Sequence, residues 1–177
     1  LFMSVLSPIT ANAAARAFLA GLSAHIVLIV IVGTLLTWAA HSSVAIVLLA
    51  MSLTQQGVLD LPAGIALVLG ANLGSAINPV IEGGAQDNAG RRLPIGNLLN
   101  RLTGVLLMLA VYPLVTPLIE AIERNPARAI ANFHTGFNIL LAAVFFPLLP
   151  AYAALLRRML PEQAKDASPE APRYLQD

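Results

Sequence analysis

Residues 33–45 read GTLLTWAAHSSVA, and the interpretation of the whole chain depends on this segment. It lies inside a stretch of 43 residues, between Arg16 and Asp60, that contains no Asp, Glu, Lys or Arg. An apolar run over 26–40 stops at the polar cluster of residues 37–43, and a second apolar run over 44–53 follows. The pattern predicts either two half-helices that meet at the cluster or one long tilted helix.

Three further windows without charged residues follow, of 21, 18 and 28 residues. About 20 helical residues cross the ~30 Å core of a bilayer, so each window is long enough, or nearly so, to span or re-enter a membrane. Only 11% of the 177 residues are charged, against about 25% in soluble domains, which excludes a soluble enzyme and a disordered tail. A net charge of +1 leaves no basic face for nucleic acid. We predict an all-α polytopic membrane protein that catalyses no covalent reaction.

The order of these windows predicts three regions. Residues 1–24 are the end of a preceding apolar segment and an interfacial helix, residues 25–156 are the transmembrane unit, and residues 157–177 are a water-exposed linker. Within the unit, Gly70 and Gly74 with Pro79 predict a second interrupted helix over 61–80. Residues 82–92 form an aqueous loop, and spanning helices over 93–115 and 127–156 flank a hairpin at 116–126. We expect the ends of these two helices to be kinked by Pro113, Pro117, Pro147 and Pro150. We also expect the chain to be a fragment of a longer protein.

Two interruptions in adjacent apolar units indicate a cavity at membrane depth, because lipid cannot satisfy an unpaired backbone group. Half-helix N-termini there attract an anion, and Ser42 or Ser43 is placed to cap such a helix. Neutral oxygens suited to sodium come from Thr37, Ser42, Ser43, Asn72 and Ser75. Neither interruption contains a charged residue. We therefore expect a bound anion to be neutralised by helix ends and by co-bound cations.

Each of these residues also has a purely structural interpretation. Serine and threonine in membrane helices usually bond to their own backbone or to a neighbouring helix, and Gly70 with Gly74 forms a Gly-x-x-x-Gly packing motif. For His41, contact with a ligand and structural hydrogen bonding are equally expected. His134 and Asn138, four residues apart, favour contacts between helices, and Arg101 is expected to snorkel or to pair. The chain has no Cys, and its three His residues lack metal-ligand spacing, so we predict no metal site and no cofactor.

Three motifs together resemble the type II sodium/phosphate cotransporter family. Residues 33–45 resemble its Gln-Ser-Ser-Ser signature region, and residues 69–75 (LGANLGS) its Gly-Ala-Asn-Ile-Gly-Thr motif. Residues 131–138 (ANFHTGFN) are similar to its Ala-x-x-His-x-x-Phe-Asn helix. His41 stands where the signature has Gln, Val44 where it has its third Ser, and Ser75 where the second motif has Thr.

The resemblance covers about residues 20–155 and implies the second of two inverted repeats, with broken or re-entrant helices. It implies phosphate or sodium contacts at Ser42 and Ser43, support from Asn72 and Ser75, and sodium as the coupling ion. Asn97 and Arg101 depart from the helix motif, so no site is assigned to them. The implied partners are phosphate, sodium, the bilayer and a missing first repeat, while the tail resembles the approach to a PhoU-type domain.

The sequence thus predicts the C-terminal half of the membrane domain of a bacterial sodium-dependent phosphate symporter. The alternative is a structural or regulatory membrane module of the same family that does not transport. An ion channel is disfavoured because no charged ring or continuous polar stripe is present. Six basic residues on one side of the last hairpin, against two on the other, predict a cytoplasmic tail in the bacterial inner membrane.

Overall fold

The computed structural model describes residues 12–14, 17, 21, 25–85 and 87–162. The described part is all-helical, with six α-helices and one short 3₁₀ helix. The predicted region 1–24 falls almost wholly outside the described residues. Of the predicted linker 157–177, residues 157–159 are helical and residues 163–177 lie outside the described part. In chain order the α-helices are α1 (Ile26–Ala40), α2 (Ser43–Gln55), α3 (Leu61–Glu82), α4 (Asn88–Ile122), α5 (Pro126–Phe145) and α6 (Leu149–Met159).

The first apolar unit is divided into two half-helices, as one of the two sequence interpretations predicted. Helix α1 has 15 residues and α2 has 13, which correspond to about 22 and 20 Å at 1.5 Å per residue. Neither reaches across the ~30 Å hydrocarbon core of a bilayer. The two helices meet at His41 and Ser42, within the polar cluster.

Helix α3 occupies the centre of the fold and is continuous for 22 residues. The predicted interruption at Gly70 and Gly74 is therefore wrong. A side chain on Gly70 would lie 2.2 Å from the carbonyl oxygen of Val30, and one on Gly74 would lie 2.4 Å from that of Thr34. Both glycines allow the backbones of α1 and α3 to approach closely, which is the packing role of Gly-x-x-x-Gly in membrane helices.

Helix α4 is longer than predicted and α5 is shorter. Helix α4 runs for 35 residues and contains Pro113 and Pro117, so the hairpin shrinks from 116–126 to the three residues between Ile122 and Pro126. The aqueous loop over 82–92 is also shorter, because α4 begins at Asn88. The predicted helix over 127–156 is divided, with α5 and α6 bent by 80° around Pro147.

Short polar caps fix where the helices begin. Asp60, Asp87 and Asn125 each accept a hydrogen bond from the backbone N–H three residues ahead, at 2.8, 2.8 and 2.9 Å. Such caps satisfy donors that a helix N-terminus leaves unpaired. In the hairpin, Glu123 accepts from the backbone N–H of Asn125 and pairs with Arg128. These contacts hold the pKa of Glu123 below its ordinary value.

Helices α3 and α4 are long and apolar enough to cross a membrane, and the bent pair α5–α6 is a third candidate span. Helix α3 packs against α1, α2, α4 and α5, with its largest contact on α1. Apolar side chains on α1, α4 and α5 remain exposed on the outside of this bundle. Buried α3 and exposed outer helices fit a membrane protein whose surface faces lipid or further protein.

Candidate functional site

The break between α1 and α2 is formed by one residue in an unusual conformation and one cap. His41 has φ 51°, in the left-handed region that non-glycine residues rarely adopt. Ser42 is extended, and its side-chain oxygen accepts a hydrogen bond from the backbone N–H of Ala45 at 3.2 Å. The predicted serine cap is thereby confirmed at Ser42. Helix geometry leaves the N–H groups of Ser43 and Val44 without partners inside α2.

The first residues of α2 line an open cavity of about 440 Å³, which we call the break cavity. The other wall of the break cavity is the C-terminal part of α3, including Asn78 and Glu82. The lining residues are His41, Ser42, Ser43, Val44, Ser75, Asn78, Pro79 and Glu82. Four of the residues predicted from sequence are thus brought together: His41, Ser42, Ser43 and Ser75.

The break cavity combines acceptors, donors and one acidic group. His41 Nδ1 lies 3.8 Å from a carboxylate oxygen of Glu82, and both side chains are largely exposed. Asn78 donates a hydrogen bond to the backbone oxygen of Trp38 at 3.4 Å, linking α3 to the end of α1. Hydroxyl and carboxylate oxygens suit a hard cation, whereas the N-terminus of α2 suits an anion.

Ser75 and Thr37 are both tied to the helix contact behind the break. The Ser75 hydroxyl donates to the backbone oxygen of Asn72 at 2.8 Å, so its proton is used within its own helix. Thr37 is fully buried, and its Cβ lies against the position that a side chain on Gly74 would occupy. Within the described residues, its hydroxyl has no hydrogen-bond partner. The structure therefore places Thr37 between helices and not on the break cavity.

Asn72 belongs to a second polar group, the arginine cluster, formed by Asn72, Asn97, Arg101, His134 and Asn138. Arg101 Nη1 donates to Asn72 Oδ1 at 2.6 Å and to Asn138 Oδ1 at 3.2 Å. The Asn72 amide nitrogen lies 3.5 Å from His134 Nδ1. The cluster joins α3, α4 and α5, which confirms the expectation that His134 and Asn138 make contacts between helices.

Sequence reasoning did not identify the partners of Arg101. No site was assigned to Arg101 or Asn97, and the absence of a charged residue within either interruption was the argument for co-bound cations. The structure adds a positive charge from another helix, because Arg101 reaches from α4 to Asn72 on α3. The available signal was the residue itself, a lone arginine between two apolar stretches of one long helix.

A model of the family described as Na+/Pi-cotransporter matches residues 2–146 of the chain. "Putative inorganic phosphate export protein YjbB" of Escherichia coli (strain K12) is 27% identical over 175 residues, 99% of this chain and 32% of the relative. The protein of that name from Salmonella typhimurium (strain LT2) is 28% identical over 176 residues, with the same two coverages.

"Uncharacterized protein YqeW" of Bacillus subtilis (strain 168) is 28% identical over 131 residues, 74% of this chain and 43% of the relative. No solved structure matches the chain. The chain spans about a third of the length of the YjbB relatives.

Proposed function

The chain belongs to the Na+/Pi-cotransporter family, and we propose that it forms part of a sodium-coupled phosphate transporter. It contributes one half of the translocation site, and a first repeat outside residues 1–177 contributes the other half. Transport moves an ion across a membrane without a covalent step. It uses no cofactor, and sodium is the coupling ion. The membrane is the bacterial inner membrane, with the tail in the cytoplasm.

The observation that carries this proposal is the capped break between two half-helices beside the break cavity. A half-helix N-terminus offers backbone N–H groups and the positive end of the helix dipole to an anion. Broken helices of this kind surround the substrate sites of many secondary transporters. Phosphate is therefore assigned to the N–H groups of Ser43 and Val44 and to the hydroxyl groups of Ser42 and Ser43.

Sodium is assigned to the same cavity, with a smaller ligand set than the sequence suggested. Ser42, Ser43 and Ser75 supply neutral oxygens, and Glu82 adds a carboxylate on the opposite wall. Asn72 is removed from the sodium ligands because its side-chain oxygen already accepts a hydrogen bond from Arg101. The guanidinium of Arg101, 2.6 Å from that oxygen, would repel a sodium ion bound there.

Coupling to sodium and the direction of transport are tested together in proteoliposomes. The purified full-length protein is reconstituted, and labelled phosphate flux is measured with the sodium gradient directed inward, outward, or replaced by choline. Symport predicts phosphate accumulation that follows the sodium gradient in both directions. Equal flux in choline would refute sodium coupling while leaving phosphate transport in place.

The second candidate is a membrane module of the same family that does not transport. The departures at His41 and Val44 favour it, because the side chain of Val44 offers no ligand and the imidazole of His41 lies 3.8 Å from the Glu82 carboxylate. Its signature in the same experiment is the absence of phosphate flux under every gradient, from protein that is monodisperse and correctly inserted.

A further inference from the structure

Arg101 is placed well inside the apolar part of α4. It lies nine residues after Arg92 and 19 residues before Glu120, the neighbouring charged residues of the helix. At 1.5 Å per residue, Arg101 is about 13 Å from the first and about 28 Å from the second. A charged side chain at such a position is costly, and it persists where it faces the protein interior or a polar pathway.

The side chain of Arg101 turns into the bundle. Its guanidinium donates to the side-chain oxygens of Asn72 and Asn138, and its Nε donates to that of Asn97 at 3.4 Å. All three acceptors are neutral amides from three different helices. Among the described residues, the two N–H groups of the second terminal nitrogen, Nη2, have no partner.

No carboxylate of the described chain neutralises this charge. The ion pairs within residues 25–85 and 87–162 involve Glu82, Glu123 and Glu162, and none includes Arg101. Residues 1–24 contain no Asp or Glu. The three amides orient the guanidinium but leave its positive charge uncompensated, which is the arrangement expected of a site for an anion.

Asn72 links the arginine cluster to a residue of the break cavity. Ser75 lines the cavity and donates to the backbone oxygen of Asn72, whose side-chain oxygen accepts from Arg101. We infer that Arg101 binds the transported phosphate and supplies a fixed positive charge to its site. The inference rests on the proposed function, and it reduces the number of sodium ions that the bound anion needs.

Two properties of the guanidinium separate this role from a purely structural one. Its charge replaces part of the sodium, so loss of the charge makes phosphate binding depend more steeply on sodium. Its planar fork contacts two oxygens of a phosphate group, which an ammonium group cannot reproduce. Arg101→Gln removes both properties, whereas Arg101→Lys removes only the fork.

The experiment compares Arg101→Gln and Arg101→Lys with Arg92→Gln, in full-length protein reconstituted in proteoliposomes. Arg92 lies on the same helix and bonds to the backbone oxygen of Leu160 and to Glu162. The half-saturating phosphate concentration is measured at several sodium concentrations, after each variant is shown to be monodisperse.

We expect Arg101→Gln to raise the half-saturating phosphate concentration at least about tenfold, the scale of a lost charge-assisted bond. High sodium should recover part of the loss. Arg101→Lys should weaken phosphate while keeping the sodium dependence of the wild type, and Arg92→Gln should change neither quantity.

If Arg101→Gln has the phosphate and sodium dependence of Arg92→Gln, Arg101 is structural and the inference is wrong. If Arg101→Gln is not recovered as folded protein, Arg101→Lys decides, and unchanged phosphate affinity in that variant overturns the inference. A wild-type protein that transports no phosphate refutes the proposed function itself. If the wild type transports phosphate and the Arg101 variants do so with unchanged phosphate and sodium dependence, only the inference about Arg101 is refuted.

Discussion

Replacing Gly70 with alanine tests the contact between α1 and α3 that holds the break in place. The added Cβ would lie 2.2 Å from the Val30 carbonyl oxygen and 2.8 Å from the Thr34 backbone nitrogen. Both neighbours are backbone atoms, which cannot rotate away as a flexible side chain can. To restore ordinary contact, α1 must move away from α3 by roughly 1 Å. A gap of that size between packed atoms loses about a quarter to a half of their dispersion energy.

The expected loss of stability follows from this displacement. Overpacking costs about 1–3 kcal/mol, and rigid backbone neighbours place Gly70→Ala near the upper end. Alanine inside a helix is more stable than glycine by about 0.5–1 kcal/mol, which offsets part of this cost. The net loss is about 2 kcal/mol, or roughly thirtyfold in the ratio of folded to unfolded protein.

The measurement is the SDS-induced unfolding of the purified full-length protein, with Gly136→Ala as the matched control. Gly136 also lies inside a helix, α5, but a Cβ added there meets no described atom within 4 Å apart from its chain neighbours and the adjoining backbone of α5. The control should be as stable as the wild type or slightly more stable. If Gly70→Ala and Gly136→Ala unfold at the same SDS concentration, the close approach of α1 and α3 does not exist, and an interrupted α3 regains support.

Two further predictions concern the ends of the bundle. Reporter fusions at Asn125 and after Asp177 should report opposite sides of the membrane, with Asp177 cytoplasmic. The reason is that basic residues gather at the end of the bundle that carries Arg92 and Leu160. A cytoplasmic reporter at Asn125 would contradict this. Glu123→Gln should destabilise the protein at neutral pH relative to Glu120→Gln. Since the folded pKa of Glu123 is lowered, its contribution is present above the unfolded value of about 4.3 and is lost as the pH falls through the folded value. An equal deficit at pH 7 and at pH 3 in an unfolding titration would exclude an ionic origin.

The position of the first break was predictable because the local signals agreed. A polar cluster interrupts an apolar run, and Ser42 carries the capping chemistry that starts α2. Local sequence is sufficient there, since a cap acts within four residues. The class of fold was predictable for a similar reason, because the lengths of the charge-free windows match the thickness of a bilayer.

The continuity of α3 and the partners of Arg101 were not predictable in this way. Glycine weakens an isolated helix, but Gly70 and Gly74 face the backbone of α1, and that tertiary contact outweighs the local penalty. Arg101 was expected to snorkel or to pair, and it pairs, through hydrogen bonds to amides that lie 29 and 37 residues away in sequence. Both outcomes depend on contacts between helices, which no local pattern contains.

The bend between α5 and α6 lies between these cases. Pro147 and Pro150 were expected to kink the end of a single helix, and the structure instead has an 80° change of direction. Proline removes a backbone donor and predicts where a helix is weak. The size of the bend depends on packing, because the Tyr152 hydroxyl of α6 bonds to the backbone oxygen of Gly96 on α4 at 2.7 Å.

The central claim is that the break between α1 and α2 binds phosphate together with sodium. Its most direct test compares Ser43→Ala with Ser52→Ala in the full-length protein, by phosphate uptake at several sodium concentrations. Ser43 lines the break cavity, whereas Ser52 lies nine residues further along α2, where its hydroxyl accepts a bond from Gln56.

Loss of the Ser43 hydroxyl should cost about 1–2 kcal/mol, which is roughly a five- to thirtyfold weaker phosphate affinity. Higher sodium should recover part of that loss, because the two ligands are linked. Ser52→Ala should behave as the wild type. Equal phosphate and sodium dependence in Ser43→Ala and Ser52→Ala, at equal expression in the membrane, would contradict the assignment of the break as the site.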